Sequence, residues 1–176
     1  MPCQATFEQW VPFLVSRVFL FFANPQNLPR IMPPATDTRL DRLTLVPPPN
    51  PLGSSASDTS LAGVGSLIVT SFRLLPGLPF RAQWIARITE FEWNHHFADV
   101  QDRGPFRSLH HRHEFSAEER QSVHGTIVRD LIEYEIGFGL AGPIAQALFV
   151  GPQMARAFRH RQKALEALLD RHASSP

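Results

Sequence analysis

The sequence lacks most features that mark a secreted, membrane-bound or nucleic-acid-binding protein. Its single cysteine, Cys3, excludes an internal disulfide and fits a reducing compartment. The net charge is only +1, so no overall field attracts nucleic acid or acidic lipid. The most apolar early stretch, residues 11–23, contains Pro12 and Arg17 and is too short to span a bilayer. We therefore expect a cytoplasmic protein with no integral membrane segment and no nucleic acid partner.

Common catalytic signatures are missing as well. The sequence has no Gly-rich phosphate loop, no nucleophile elbow and no paired-cysteine zinc motif. Its 176 residues, 43% hydrophobic and 19% charged, instead indicate one globular domain, 1–176, with a sizeable core. A proline-rich run followed by a Gly/Ser-rich one predicts that residues 47–62 form a surface loop inserted between strands.

Alternation of polar and apolar residues predicts a series of strands. It is clearest in the last one, where Val128, Ile132 and Tyr134 share one face and Arg129 and Glu133 share the other. Short turns between the later strands indicate antiparallel hairpins. The predicted strands cover residues 4–11, 41–46, 66–75, 80–91, 97–101, 106–115 and 125–138, with a polar connector at 116–122.

Two short helices are predicted between the first two strands. Ser16 is expected to cap the first helix, since a serine hydroxyl accepts from the free N–H groups of a first turn. Asn24-Pro25 is expected to end it and to begin the second helix, with asparagine as the cap and proline in the first turn.

A long helix is predicted over residues 142–171. Apolar residues recur there three, four or seven apart, which is typical of one helix face, and only Gln162 interrupts them. Gly151-Pro152 falls inside the pattern and predicts a kink or a break. The recurring residues are Ile144, Leu148, Gly151, Ala155, Phe158, Leu165 and Leu169.

The order of these elements predicts an α+β fold in which a curved antiparallel sheet, with two short N-terminal helices, wraps around a long C-terminal helix. Within that order stand residues 18–34, Gly104-Pro105-Phe106, His111-Arg112-His113, and Gly125-Thr126 followed by Asp130 and Tyr134. With these features the chain resembles the START-like (SRPBCC) helix-grip superfamily, which includes pollen allergens, lipid-transfer START domains and polyketide cyclase/dehydrase-like proteins. The resemblance implies a cavity between sheet and C-terminal helix that holds a lipid, isoprenoid, quinone or polyketide.

His111 and His113 are the first candidate site residues. They are two apart on a predicted strand, so both point to the side of the sheet that Leu109 faces. There they can orient a ligand's carbonyl or hydroxyl group, or transfer a proton near neutral pH. Alternatively, Asp130, Glu90 or backbone groups satisfy both imidazoles in a purely structural way.

Asp130 lies on the apolar face of the last predicted strand, where a carboxylate requires a partner. A pair with His111 or His113 would fix one imidazole tautomer and raise its basicity. If the protein is an enzyme, these three residues are the predicted catalytic groups of a cyclase or dehydratase. Glu90 is interpreted either as a second inward carboxylate or as a solvent-exposed residue at a strand end. The predicted ligand-binding residues are Trp84, Glu90, Phe97, Leu109, His111, His113, Asp130, Tyr134 and Phe158.

A metal-binding site is the more specific alternative for the role of the two histidines. Gly104, His111, His113, Glu118 and Gly125 come within one residue of the cupin signature, in which two histidines and a glutamate bind a metal. However, the first spacing of the signature is one residue too long in this sequence. The glutamate falls in the predicted connector, and no second motif with a further histidine follows. We therefore predict no metal and no cofactor.

The basic run at residues 156–163 is interpreted as a solvated helix face. The leading functional prediction is a non-catalytic carrier of a hydrophobic small molecule. A cyclase or dehydratase is the second, and a protein-interaction module such as an antitoxin or assembly factor is the third.

Overall fold

The structure, a computed structural model, describes residues 2–49, 60–73, 80–137 and 150–173, which form seven strands and three α-helices. The strands are β1 (Cys3–Val11), β2 (Arg39–Thr44), β3 (Leu67–Arg73), β4 (Arg81–Glu92), β5 (His96–Arg103), β6 (Ser108–Arg120) and β7 (Val123–Glu135). The α-helices are α1 (Val15–Ala23), α2 (Leu28–Ile31) and α3 (Gly151–Ala173), and short 3-10 helices cover Pro25–Asn27 and Pro34–Thr36.

All seven strands belong to one sheet in the order β1-β7-β6-β5-β4-β3-β2. Every neighbouring pair is antiparallel, and the first strand pairs with the last. Helix α3 packs against β1 and α2, and Phe158 of α3 stacks on Phe7 of β1 with ring centroids 4.1 Å apart. The predicted α+β architecture is confirmed. No described helix has the length and apolar content needed to cross a bilayer.

The capping predictions for the first helices have different outcomes. Helix α1 starts at Val15 after Leu14, whose side chain forms no cap, so Ser16 lies inside the helix and its predicted capping role is wrong. Asn24 ends α1, and its Oδ1 accepts from the Gln26 N–H at 3.0 Å, which confirms the predicted asparagine cap. What anchors α1 is its apolar face, where Val18 and Phe19 are fully buried.

The polar connector predicted at residues 116–122 is wrong. Strand β6 continues to Arg120 and β7 begins at Val123, so only Gln121 and Ser122 form the turn. Both turn residues have positive φ angles, 51° and 62°, as in the two-residue turns that match strand twist. The polar side chains of this stretch therefore lie on an extended, solvated hairpin.

Four predicted elements fall partly outside the described residues: the ends of the strands at 66–75 and 125–138, the loop at 47–62 and the helix at 142–171. Of the loop at 47–62, residues 50–59 are outside, and its described end is buried, because Leu61 packs in the core and the Ala62 N–H donates to the Ala23 carbonyl at 3.0 Å. Of the helix at 142–171, residues 142–149 are outside. Pro152 lies in the first turn of α3, so the predicted kink or break falls at the edge of the described residues.

The described residues form two apolar clusters in the interior. The Phe19 core contains Val11, Val18, Phe19, Phe21, Ala23, Ile31, Leu61, Ala62, Ile88, Phe97, Phe115, Val128, Leu165 and Leu169. The Tyr134 core contains Leu109, Ile132, Tyr134 and Phe158, with partly buried Cys3, Ala5, Phe7, Trp84, Phe106, Ile136, Val150 and Met154 around them. Strands β6 and β7 each have residues in both cores. The residues of each strand that lie between its Phe19-core and Tyr134-core residues are therefore at the boundary of the two cores.

Candidate functional site

Five polar side chains lie at the boundary between the two cores. Asp99 of β5, His111 and His113 of β6, Asp130 of β7 and Arg161 of α3 are here named the interior polar group. In the strand register, Asp99 is opposite His111 and His113 is opposite Asp130. Because opposite residues of antiparallel strands point to the same face, this register brings the four strand residues together.

Asp130 is the centre of the group. Its Oδ1 lies 3.0 Å from His111 Nε2, 2.6 Å from His113 Nδ1 and 3.4 Å from Arg161 Nη2. Burial alone would raise the pKa of Asp130, but the Arg161 charge and the two histidines outweigh it and hold that pKa well below its usual range. Asp130 is therefore an ionised acceptor at neutral pH.

The ionised carboxylate fixes the tautomers of both histidines. It has no hydrogen to donate, so His111 Nε2 and His113 Nδ1 carry the ring hydrogens that point to it. Arg161 Nη2 also lies 3.2 Å from His113 Nδ1. If Arg161 donated a hydrogen bond to His113 Nδ1, that nitrogen would carry no hydrogen and its lone pair would face the carboxylate of Asp130 at 2.6 Å. We therefore place the ring hydrogen on Nδ1, between His113 and Asp130. Burial, and next the neighbouring His111, lowers the pKa of His113 to about 3, so this ring is neutral.

The opposite ring nitrogens face Asp99. His111 Nδ1 and His113 Nε2 each lie 4.0 Å from Asp99 Oδ2, which is too long for a hydrogen bond. Burial raises the pKa of Asp99, whose side chain is only 14% exposed. Two imidazole nitrogens and one carboxyl oxygen thus converge at separations longer than a hydrogen bond.

Aromatic rings enclose this group. The His113 ring centroid lies 4.5 Å from that of Phe97, and the guanidinium of Arg161 lies 4.7 Å from the Phe22 centroid and 5.3 Å from that of Phe158. Arg161 is only 8% exposed, and these ring faces supply favourable contacts where water is excluded. The polar group is therefore set in an apolar surrounding, which strengthens its electrostatic interactions.

The structure brings most predicted site residues together. His111, His113 and Asp130 form the group, and Phe97 and Phe158 border it. The remaining apolar residues, Leu109, Tyr134 and Trp84, lie in or beside the Tyr134 core.

Glu90 is the exception, because it lies on the opposite face of the sheet. The strand register shifts between Ile88 and Glu90, and Glu90 Oε2 accepts from Arg112 Nη1 at 2.8 Å. Its predicted inward orientation is wrong, since its side chain lies on the opposite face and is 36% exposed.

Two members of the group were missed. Asp99 lies on a strand whose two faces both mix polar and apolar residues, so alternation could not orient it. Arg161 was included in the solvated basic run, which is wrong for this residue. It lies three residues after Phe158 and four before Leu165, a spacing that could have placed it on the buried stripe.

The cupin-like arrangement is absent from the described structure. Glu118 pairs with Gly125 near the end of the β6–β7 hairpin. It is five residues beyond His113, about 16 Å along the strand. Asp99 instead brings a carboxylate near both histidines, and the three potential donor atoms lie within 4.8 Å of one another.

A hollow of about 380 Å³ lies beside this turn end of the β6–β7 hairpin, away from the interior polar group. It contains none of the predicted ligand-binding residues. Its lining residues are Leu14, Val15, Ser16, Ala117, Glu118, Glu119, His124 and Gly125.

Several solved structures have this fold at low sequence identity. TTHA0849 from Thermus thermophilus has a TM-score of 0.64 and is 16% identical, over 98% of this chain and 100% of that one. Ara h 8.0201 has a TM-score of 0.62 at 10% identity, over 96% of this chain and 98% of that one. A Thalictrum norcoclaurine synthase mutant, solved with a transition-state analogue, has a TM-score of 0.62 at 14% identity, over 99% and 98%.

By sequence, no protein-family model matches the chain and no curated protein is significantly similar to it. The structural similarities nevertheless confirm the predicted helix-grip fold. At 10–16% identity they concern the fold alone.

Proposed function

We propose that this protein, which has the helix-grip fold of the START-like superfamily, binds a hydrophobic small molecule between its sheet and α3. The polar end of that molecule lies at the interior polar group. The observation that supports the proposal most is the convergence of His111 Nδ1, His113 Nε2 and Asp99 Oδ2, at separations of 4.0 Å from the carboxyl oxygen. A hydroxyl group fits between them, since it both donates and accepts a hydrogen bond.

The apolar part of the ligand is assigned to the Tyr134 core. Trp84, Phe106 and Met154 are only partly buried there, although all three are large apolar side chains. The Phe106 ring contacts both neighbouring aromatic rings, with centroids 5.8 Å from Trp84 and 5.3 Å from Tyr134. An apolar surface with a few placed polar groups is typical of small-molecule sites. A lipid, isoprenoid, quinone or polyketide that carries a hydroxyl group has this chemistry.

The second candidate function is acid–base catalysis on the same ligand. Asp130 Oδ1 lies within 3.0 Å of one nitrogen of each imidazole and leaves the opposite nitrogens facing Asp99, which is the arrangement of an oriented general base. In this case His111, His113 and Asp130 are catalytic, as a cyclase or dehydratase requires. The fold is compatible with catalysis, because norcoclaurine synthase shares it.

The test is an equilibrium titration of the full chain with a dansyl-labelled long-chain alcohol. Ala5→Phe places a ring in the Tyr134 core and is expected to abolish binding. Thr6→Phe adds the same ring at the next residue of β1, which is exposed, and is the matched control. Equal binding by both variants, or no binding by the wild type, would contradict the proposal.

Variants of the polar group separate the two candidate functions. For a carrier, His111→Gln is expected to weaken binding about tenfold, which is the effect of one lost hydrogen bond. For an enzyme, His111→Gln abolishes turnover and leaves ligand binding nearly intact. The single-domain organisation, the cytoplasmic location and the lack of a nucleic acid partner stay predictions.

A further inference from the structure

A second cluster of histidine and carboxylate groups lies far from the interior, at the turn between β4 and β5. It consists of Glu92 at the end of β4, His95 in the turn and His96 at the start of β5. His95 Nδ1 lies 3.2 Å from His96 Nδ1, and Glu92 Oε2 lies 3.7 Å and 3.4 Å from these two nitrogens. Three potential metal-binding atoms therefore form a small triangle.

The size of this triangle matches a tetrahedral zinc ion. Zinc binds imidazole nitrogen and carboxylate oxygen at about 2.0 to 2.2 Å, so neighbouring ligands of a tetrahedron lie about 3.3 to 3.6 Å apart. The three separations in the turn fall close to that range. In the interior polar group the corresponding separations are wider, 4.0 Å, and a guanidinium cation lies nearby.

Two hydrogen bonds fix the backbone of the turn that carries the three residues. The His95 N–H donates to the Glu92 carbonyl at 3.1 Å, and the His95 carbonyl accepts from the Phe115 N–H of β6 at 2.7 Å. Asn94 between them has a φ of 59°, a left-handed conformation that asparagine tolerates well. This turn keeps the three residues close together, with their donor atoms 3.2 to 3.7 Å apart.

A further carboxylate orients one of the imidazoles. Glu90 Oε2 lies 3.3 Å from Nε2 of His96, the ring nitrogen that does not face the triangle. Glu90 is itself held by Arg112 Nη1 at 2.8 Å. A carboxylate behind a histidine fixes its tautomer and raises its basicity, and metal-binding histidines commonly have such a partner. With Nε2 protonated towards Glu90, the Nδ1 atom of His96 has a free lone pair.

We propose that Glu92, His95 and His96 bind a Zn²⁺ ion, with Glu90 as the residue that positions His96. The side chains of Glu92 and His95 are 63% and 67% exposed, so the fourth position of the ion faces solvent and takes water or an external ligand. Two imidazoles and a carboxylate favour zinc over magnesium or calcium, which prefer oxygen ligands alone. This site is independent of the proposed ligand binding, so either proposal can fail without the other.

The test uses the full chain without a histidine tag, freed of metal by a chelator and titrated with Zn²⁺ by calorimetry. The wild type is expected to bind one equivalent at this turn, and His95→Gln is expected to lose it. Glu90→Gln should weaken the affinity about 10- to 100-fold, the usual effect of losing the partner of a metal-binding histidine. Co²⁺ in place of Zn²⁺ should give the intense visible absorption of a tetrahedral ion in the wild type and not in His95→Gln.

His124→Gln is the matched control. His124 is also exposed, at 77%, and has one carboxylate neighbour, Glu119, at 3.5 Å. Its loss is expected to leave the zinc stoichiometry and affinity unchanged. Circular dichroism of all variants checks that they are folded. The proposal is overturned if the wild type binds no stoichiometric zinc, or if His95→Gln binds as the wild type does, which would place the ion elsewhere.

Discussion

Among the described residues, the two halves of the interior differ in the number of buried side chains that form them, fourteen in the Phe19 core and four in the Tyr134 core. In the Phe19 core, Phe19 is fully buried and its ring contacts those of Phe91, Phe97 and Phe115, with centroids 5.2 to 6.0 Å apart. Partly buried large side chains border both cores, for example Trp93 at the Phe19 core and Trp84 at the Tyr134 core. We infer that the first half stabilises the fold and that the second accepts the ligand. The interior polar group lies between them.

Removing the central ring of the Phe19 core should have the largest effect on stability. We expect Phe19→Ala to lower the free energy of unfolding by about 3 to 5 kcal/mol, because the cavity left by a buried ring cannot collapse fully. Leu20→Ala, on the exposed side of the same helix, should cost under about 1 kcal/mol. Urea unfolding measures both. Similar losses in the two variants would show that the buried ring of Phe19 contributes no more to stability than an exposed apolar side chain.

Breaking the buried ion pair of Asp130 and Arg161 should lower the free energy of unfolding by nearly as much. Asp130→Asn leaves the guanidinium of Arg161 buried without its counter-charge, which typically destabilises by about 3 to 5 kcal/mol. The double variant Asp130→Asn/Arg161→Met removes both charges. It should be more stable than Asp130→Asn alone, as measured by urea unfolding. If the double variant is less stable than the single one, the two charges are not coupled as the 3.4 Å separation indicates.

Asp99 should show the opposite pH dependence from an ordinary salt-bridged carboxylate. Burial raises its pKa in the folded state, so the folded protein holds this proton at pH values where the unfolded chain has lost it. Its contribution to stability is therefore full below the unfolded value of about 3.9 and is lost as the pH rises through the folded pKa.

The measurement for Asp99 is thermal unfolding of the wild type and Asp99→Asn from acidic to neutral pH. As the pH rises, Asp99→Asn should become more stable relative to the wild type. A difference that stays constant with pH would mean that Asp99 has an ordinary pKa, and the space between it and the histidines would need another explanation.

The smallest effect is expected on the outer face of the sheet. Arg129 pairs with Glu8 across β7 and β1 at 2.8 Å, with both side chains 45% exposed. Arg129→Ala should cost about 0 to 1 kcal/mol in urea unfolding, because exposed ion pairs are screened by water and salt. A larger loss would remove the contrast between this surface pair and the buried pair of Asp130.

Alternation explains how much of the site could be predicted. It placed His111, His113 and Asp130 on one face because β6 and β7 keep a regular two-residue period through these positions. It failed for Glu90, since the register shift after Ile88 turns the following residues to the other face. An irregularity of this kind depends on strand pairing, which a single strand's sequence does not contain.

Helix α3 and the β6–β7 hairpin show a second limit of prediction from the sequence. Arg161 occupies the buried stripe of α3 because Asp130 on a distant strand supplies its counter-charge, so its burial depends on a tertiary contact. The end of the β6–β7 hairpin is polar because both faces meet water, and composition alone could not distinguish it from a loop. The order of the elements, which hydrophobic patterns control, was predicted correctly.

The most direct test of ligand binding is native mass spectrometry of the purified, tag-free protein, compared with its denatured mass. We predict an added mass that extracts into organic solvent, that is lost in Ala5→Phe and that is retained in Thr6→Phe. An added mass that is equal in both variants, or a bare wild-type chain that also fails to bind the dansyl-labelled alcohol, would contradict the assignment of the Tyr134 core as the ligand site.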